Sequence, residues 1–164
     1  MSIPSTRRVF FGGLLAAIVL SSAGCAALAP APTLGERIAQ DPELSTFSRL
    51  VQRAGMEEAL RGEAALTVLA PSDEAFRALP QRTLDEIGAD PARARAVVSN
   101  HLVDGRTPAA EMKGKVRTRA GAELAVSRTG DFVALDEALI VQADLPARNG
   151  LVDKVDRVLM PPKK

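Results

Sequence analysis

Residues 143–162 read ADLPARNGLVDKVDRVLMPP, a turn signal followed by an apolar run that stops at two prolines. Asn149 and Gly150 tolerate a positive φ, so this dipeptide predicts a turn. The run from Leu151 to Leu159 predicts a strand. Pro161 and Pro162 would end it, because proline cannot donate a hydrogen bond to a sheet ladder.

Short apolar runs separated by turn residues continue on the N-terminal side of this stretch. The predicted strands are residues 115–119, 123–128, 132–135, 139–143 and 151–159. The half of the chain before Gly105 predicts helices instead, interrupted by one strand at residues 66–70. Helices grouped first and strands grouped later predict an α+β fold.

Local signals place the starts of three helices in the first half. Asp41-Pro42 and Asp90-Pro91 each combine an N-cap residue with a first-turn proline. Residues 83–86, Thr-Leu-Asp-Glu, have the spacing of a capping box. We therefore expect helices to begin at about residues 42, 84 and 91.

Three segments, taken together, resemble the fasciclin domain family. The stretch already quoted is similar to the family's C-terminal signature, A-D-I-x-A-x-N-G-V-I-H-V-I-D-x-V-L-x-P. Residues 67–80, TVLAPSDEAFRALP, are similar to its N-terminal signature, T-V-F-A-P-T-[ND]-x-A-F-x-x-L-P. Residues 97–105, VVSNHLVDG, are similar to its central L-x-x-Y-H-V-V-P-G block. The segments occur in the family's order and delimit a fasciclin-like domain over residues 34–162.

The resemblance implies a wedge-shaped β-sandwich with helices packed on one side, in which the last strand pairs with residues 67–70. It also implies a non-enzymatic adhesion or interaction module. In animal relatives a Tyr-His pair in the central block is linked to adhesion. Asn100 stands in place of the tyrosine and His101 matches the histidine, so both are candidate partner-binding residues. Asp153 replaces a frequent histidine of the last block.

The matches in the first block have structural interpretations. We expect Thr67 to lie in a core strand, Asp73 to cap a helix and Phe76 to fill the core.

The first 25 residues predict an export signal. Arg7 and Arg8 precede an uncharged apolar run, residues 10–20, which is shorter than the roughly 20 residues that span a bilayer. Residues 5–11, STRRVFF, resemble a twin-arginine export motif, and Ala23-Gly24-Cys25 resembles the end of a bacterial lipoprotein cleavage box. Residues 26–33 then predict a short tether.

Cys25 is the only cysteine, so it has no partner for an intramolecular disulfide. Either it is a chance residue within a cleaved signal, or its thiol receives a diacylglyceryl group and becomes the mature N-terminus. We favour lipidation, because a lone thiol directly after small residues at the end of an export signal has few other roles. The expected location is a membrane-anchored lipoprotein of the cell envelope, on the periplasmic or outer-membrane face, and otherwise a secreted protein.

The composition argues against several classes of function. His101 is the only histidine, Ser72 and Ser99 lie in no G-x-S-x-G turn, and we expect the histidine to be a buried core residue rather than a catalytic base. One histidine and no thiol in the domain predict no metal site and no cofactor. The chain has five Phe, no Trp or Tyr and a net charge of +1, which gives no nucleic-acid signal.

One feature lies outside the family signatures. Four cations, which we call the basic stripe, recur at every second position: Lys113, Lys115, Arg117 and Arg119. In a strand all four would share one face at about 6.6 Å spacing. The stripe is either a charged edge that prevents sheet-to-sheet aggregation or a surface for anionic glycan, lipid headgroups or an acidic partner.

The sequence leaves two functions open. The first is adhesion to an envelope or extracellular protein or glycan by a monomeric module that meets the membrane through its N-terminal lipid. The alternative is a carrier of a small apolar ligand or lipid, held in a cavity between the sheet and the helices.

Overall fold

The structure is a computed structural model that describes residues 30–161. The helices are α1 (Leu34–Gln40), α2 (Ser45–Arg53), α3 (Glu57–Arg61), α4 (Asp73–Arg77), α5 (Gln81–Ala89) and α6 (Pro91–Asn100), with a 3-10 turn at Pro42–Leu44. The strands are β1 (Leu66–Pro71), β2 (Leu102–Asp104), β3 (Lys115–Arg117), β4 (Glu123–Thr129), β5 (Phe132–Leu135), β6 (Ala138–Ala147) and β7 (Gly150–Val155). The predicted export signal with Arg7, Arg8 and Cys25 lies outside the described residues.

The strands form a seven-stranded sheet in the order β2-β1-β7-β6-β5-β4-β3. The pair β1–β7 is parallel, with Val68 opposite Val152, and the other neighbours are antiparallel. A bridge between Val103 and Thr118 links the two ends of the sheet, which is therefore nearly closed. The predicted α+β class and the pairing of the last strand with residues 67–70 are confirmed.

The sheet separates two apolar cores. Alternation along β1 sends Val68 towards the helices and Leu69 into the sheet interior, because successive side chains of a strand point to opposite faces. The helical core includes Leu34, Phe47 and Phe76. All six residues of β7 are buried, as expected for a strand covered on both faces.

The predicted helix start at residue 91 is correct, and the one at residue 42 begins a 3-10 turn that leads into α2. The Asp41 carboxylate accepts from the Glu43 N–H at 3.0 Å, and that of Asp90 accepts from the Ala92 N–H at 2.9 Å. The capping box at residues 83–86 is wrong, because α5 already begins at Gln81 and Thr83 lies within its first turn.

The cap assigned to Asp73 also belongs elsewhere. Ser72 caps α4, and its hydroxyl accepts from the Ala75 N–H at 3.2 Å. The Asp73 carboxylate accepts instead from the Ser45 hydroxyl and the Thr46 N–H, both at 2.7 Å. Asp73 therefore caps α2, a helix remote in sequence, and joins the two helices.

The strand boundaries differ from the predicted ones. β2 was not predicted at all. β6 extends to Ala147, because bulges near Gln142 keep it paired with β7 as far as the turn at residues 148–149. β7 ends at Val155, well before the proline pair that was expected to stop it. No helix in the described part of the chain has the length and apolar character needed to cross a membrane.

Gly150 is required for a reason other than the one its sequence suggested. Its φ does not lie in the left-handed region. A Cβ at this position would lie 1.9 Å from the Leu66 carbonyl oxygen and 3.0 Å from Leu34 Cδ1. A glycine is therefore needed because β1 and β7 approach too closely for any side chain here.

We expect Gly150→Ala to lower the free energy of unfolding by at least about 3 kcal/mol, because the obstructing atom is backbone and can move only with its strand. Chemical denaturation of the purified protein measures the change. Gly35→Ala is the matched control, since a Cβ there makes ordinary contacts of 3.6 and 3.7 Å. Equal effects of the two substitutions would contradict the close approach as the reason for Gly150.

Candidate functional site

The candidate pair Asn100 and His101 lies at the C-terminal end of α6, inside the protein. His101 is fully buried and Asn100 is 1% exposed. The prediction of a buried core histidine is confirmed. Both side chains are almost wholly cut off from solvent, and a partner contact through the pair stays an untested prediction.

Both ring nitrogens of His101 are engaged by backbone groups. Nε2 accepts a hydrogen bond from the Leu159 N–H at 3.0 Å. Nδ1 therefore carries the proton of the neutral ring and donates it to the Val97 carbonyl at 2.8 Å. The Phe47 ring packs against the imidazole at a centroid distance of 5.7 Å. The ring thus joins α6, α2 and the C-terminal segment.

Asn100 binds the other backbone polar group of Leu159, its carbonyl. Its Nδ2 donates to the Leu159 carbonyl at 3.0 Å, and its Oδ1 accepts from the Thr118 hydroxyl at 3.0 Å. Two adjacent side chains therefore satisfy both backbone polar groups of Leu159. We call Asn100, His101 and Leu159 the C-terminal clamp. Its geometry gives the central block of the resemblance a structural role.

The clamp does not present a nucleophile and its base. The Ser99 hydroxyl points at Met56 Sδ, 3.8 Å away, and both nitrogens of the imidazole are already engaged. Within residues 30–161, no group of three or more His, Cys, Asp and Glu side chains could hold a metal ion.

Asp153 is a second buried polar group, on the interior face of β7. Its Oδ1 accepts from the Asp144 N–H at 2.6 Å, and its Oδ2 has no partner among the described residues. Burial raises the pKa of Asp153 to about 6, the bond from the Asp144 N–H opposes that rise, and the Asp144 charge adds to it. The substitution of aspartate for the family's frequent histidine thus leaves a carboxyl group in an apolar interior.

The basic stripe lies on the surface beside β3, at one end of the sheet order. All four side chains are exposed, but only Lys115 and Arg117 belong to a strand, so the predicted strand at 115–119 is shorter than expected. Lys115 pairs with Glu123 at 2.9 Å and Arg119 with Asp104 at 3.1 Å. Lys113 and Arg117 have no ion pair in the part of the chain that the structure describes.

A cleft with a volume of about 810 Å³ lies between α4 and the β5–β6 turn. Its apolar lining is Ala75, Ala78, Leu79, Leu124, Val158, Leu159 and Met160. Its polar lining is Asn100, Asp136, Glu137, Asp156 and Arg157. The mixed lining differs from the apolar cavity that a carrier of small hydrophobic ligands would favour.

Sequence reasoning did not find the clamp as a unit or the buried carboxyl group. His101 was recognised as a core residue because it falls on the apolar face of α6. Its bond to Leu159 depends on the path of the C-terminal segment, which carries no local signal. For the buried carboxyl group, the available signal was that Asp153 stands where the family frequently has a histidine.

His101 and Asp153 should have opposite effects on stability as pH changes. Burial lowers the pKa of His101 to about 4 from its usual 6.5, and the bond to Val97 opposes that shift. Between about pH 4 and 6.5 the unfolded chain binds a proton that the folded protein does not, so this group makes stability rise with pH. Asp153 binds its proton more tightly when folded, so between about pH 3.8 and 6 it makes stability fall with pH.

We therefore expect Asp153→Asn to remove the contribution that lowers stability as pH rises. The contribution of His101, which raises stability with pH, then remains. Between pH 4 and 6 the variant's free energy of unfolding should increase more steeply than that of the wild type, by up to about 1.4 kcal/mol per pH unit. Denaturant titrations across this range measure the slope. Asp131→Asn, in the exposed β4–β5 turn, is the control and should follow the wild type. Parallel pH profiles for Asp153→Asn and the wild type would contradict the assignment.

Comparisons with known proteins agree with this architecture. Residues 42–161 match the family model of the fasciclin domain. Protein sll1483 of Synechocystis is 33% identical over 140 residues, which are 84% of this chain and 78% of that protein. Cell surface glycolipoprotein MPB83 of Mycobacterium bovis is 28% identical over 138 residues, which are 76% of this chain and 63% of that protein.

A solved structure has a similar fold. It is a FAS1 domain pair from the insect cell adhesion molecule Fasciclin I, with a TM-score of 0.69 and 13% identity. The match covers 80% of this chain and 52% of that one, so the chain spans about half of the pair. At this identity the likeness shows the fold alone. The match of the family model over most of the chain shows more: this protein belongs to the fasciclin domain family.

Proposed function

We propose that this protein is a non-enzymatic adhesion or interaction module, exported to the cell envelope and held at a membrane by a lipid on Cys25. The observation that carries the proposal is the match of residues 42–161 to the fasciclin domain. One relative is named as a cell surface glycolipoprotein, and the structural neighbour comes from a cell adhesion molecule. Both names place this type of domain outside the cytoplasm of its host.

The buried state of the clamp supports binding rather than chemistry. The chain's only histidine is fully buried, with both nitrogens engaged. A general base must reach a substrate proton within hydrogen-bond distance, and this imidazole has no open side. Adhesion requires no such group, only a surface that is stable and accessible.

The anchor follows from the order of segments along the chain. The described domain starts beside the β6–β7 turn, where the Arg148 N–H donates to the Pro32 carbonyl at 2.8 Å. Cys25 lies a few residues upstream, at the end of the export signal. A diacylglyceryl group supplies two acyl chains, which suffice for stable anchoring where one chain gives only marginal binding. Arg7 and Arg8 would direct the precursor to the twin-arginine route.

The alternative, a carrier of an apolar ligand or lipid, has less support. The cleft between α4 and the β5–β6 turn has the size of a ligand site, but charged groups from Asp136, Glu137, Asp156 and Arg157 line it. Such a lining would leave charges without water around an apolar molecule, which costs free energy. The adhesion proposal therefore stands first.

We expect Cys25→Ser to move the mature protein from the membrane fraction to the soluble fraction, because acylation requires the thiol. Ala26→Ser, at the adjacent position, keeps the thiol and is the matched control. Fractionation of host cells followed by immunoblotting measures the distribution. Retention of the Cys25→Ser protein in the membrane fraction would remove the proposed anchor.

The adhesive function is tested on whole cells. Loss of the gene should reduce attachment of the host to surfaces and neighbouring cells, and the wild-type gene should restore it. The Cys25→Ser gene should not restore attachment, because a released module cannot connect the cell to a partner. Normal attachment without the gene would contradict adhesion while leaving the anchor to its own test.

A further inference from the structure

The helices cover only part of the sheet. They pack on β1, β2 and β7, whereas the outward-facing sides of β4, β5 and the first half of β6 are open to solvent. Alternation identifies which side chains point outward there. Val133 and Leu135 are buried in the interior core, so Phe132 and Ala134 lie on the opposite face.

The same reasoning across the strand register defines the whole exposed surface. We call it the outer sheet face, and its members are Glu123, Ala125, Ser127, Thr129, Phe132, Ala134, Leu139 and Val141. Glu123, next to β3, is its one charged member, although 25% of the chain is charged. A solvated face of an antiparallel sheet is ordinarily polar, so a face with mostly apolar side chains calls for a physical explanation.

The two largest exposed side chains of this face are neighbours. Phe132 is 63% exposed and Val141 is 56% exposed. Ala134 pairs with Leu139, and extending that register by two residues places Phe132 opposite Val141. An aromatic and a β-branched side chain thus form one apolar patch on the surface.

The basic stripe borders this face on one side. β3 is the neighbour of β4, with Lys115 opposite Ala125 and Arg117 opposite Glu123. Val116 between them is buried, so both cations point outward on the side of the outer sheet face. Glu123 and Asp104 pair with two of the four cations, and Glu111 lies in the same surface cleft, so the border keeps a small excess of positive charge.

We infer that the outer sheet face and the basic stripe dock flat on an anionic lipid bilayer. Phe132 and Val141 would enter the interfacial region, while Lys113, Lys115, Arg117 and Arg119 would lie at the level of the headgroups. Apolar side chains flanked by Lys and Arg are the combination that holds a protein on such a surface. This goes beyond the proposed adhesion, because it assigns the orientation of the domain on its membrane.

Two other occupants fit the same observations less well. A second copy of the chain would have to bury a stable interface of about 20–30 residues a side, and this surface offers the eight residues of the face and the four of the stripe. A glycan would need aromatic rings to stack on, and Phe132 is the one aromatic residue of the face.

The position of the chain's start agrees with membrane docking. Pro32 is fastened to Arg148 at the far end of β6, the strand that contributes Val141. Cys25 precedes Pro30 by five residues, which span at most about 18 Å when extended. A lipid on Cys25 would raise the effective concentration of the bilayer at the face, so weak intrinsic binding would be enough to orient the domain.

The test uses the full chain with Cys25→Ser, which removes the lipid and leaves the face. Binding is measured by co-sedimentation with vesicles of phosphatidylcholine alone and of phosphatidylcholine mixed with phosphatidylglycerol. We expect binding to the anionic vesicles only, weakening as salt is added. Absence of binding to either vesicle would overturn the inference.

Two double variants separate the parts of the surface. Lys113→Gln with Arg117→Gln should weaken binding at least about tenfold, because each cation near an anionic surface contributes about fivefold. The matched control is Arg53→Gln with Arg77→Gln, which removes the same charge from the helical side and should change binding little. Equal losses of vesicle binding in the two variants would mean that net charge alone attracts the protein. That result would overturn docking through this particular face.

Phe132→Ser with Val141→Ser tests the apolar patch. We expect about tenfold weaker binding with the salt dependence retained, and an unchanged thermal midpoint because both side chains are exposed. Met160→Ser, at an exposed apolar residue in the cleft, is the control and should bind as the parent does. Sedimentation compares the oligomeric states of the two proteins. A dimeric wild-type protein and a monomeric variant with Phe132→Ser and Val141→Ser would assign the face to a second copy and overturn the lipid docking.

Discussion

The contact between Gly150 and the Leu66 carbonyl is the constraint on which the rest of the structure depends. It brings the start of β7 against the start of β1, two strands separated by most of the domain's sequence. The Asn149 side chain fixes the same point, because it accepts from the Leu34 N–H and donates to the Leu60 and Gly62 carbonyls. One dipeptide therefore sets the start of α1, the end of α3 and the register of the parallel pair. Both cores form on the two faces of the strand pair that this point aligns.

Further along β7, polar groups continue to determine how the elements meet. Lys154 is nearly buried, and its ammonium group pairs with Asp41 at 2.6 Å and Glu43 at 2.8 Å, which ties the strand to the 3-10 turn ahead of α2. Beyond the strand, the C-terminal clamp holds Leu159 against α6. Each buried polar atom satisfied in this way avoids the cost of an unpaired group, and each one fixes a relative position that apolar packing alone would leave less specific. The unpartnered oxygen of Asp153 is the exception on this strand.

Much of the fold could be predicted from the sequence because its signals are local or shared with a family. Asp41-Pro42 and Asp90-Pro91 mark helix starts through contacts within a few residues, and the three resembling blocks implied the pairing of β1 with β7. Predictions failed where a distant group decides the outcome. Asp73 resembles the cap of its own helix but caps α2, and Gly150 resembles a turn glycine but is needed for the approach of Leu66. The extent of β6 depends on bulges against β7, which alternation along a single strand does not reveal.

The candidate site illustrates the same limit for function. Asn100 and His101, which the resemblance suggested for partner binding, are buried and hold the C-terminal segment, and a contact with a partner through them is untested. Exposed surfaces that the signatures do not describe include the part of the sheet that the helices leave uncovered. The helices cover one part of the outer surface of the nearly closed sheet, and the outer sheet face with its basic stripe is a part that they leave uncovered. If the uncovered part lies on the membrane, the exposed sides of the helices are free to meet a partner.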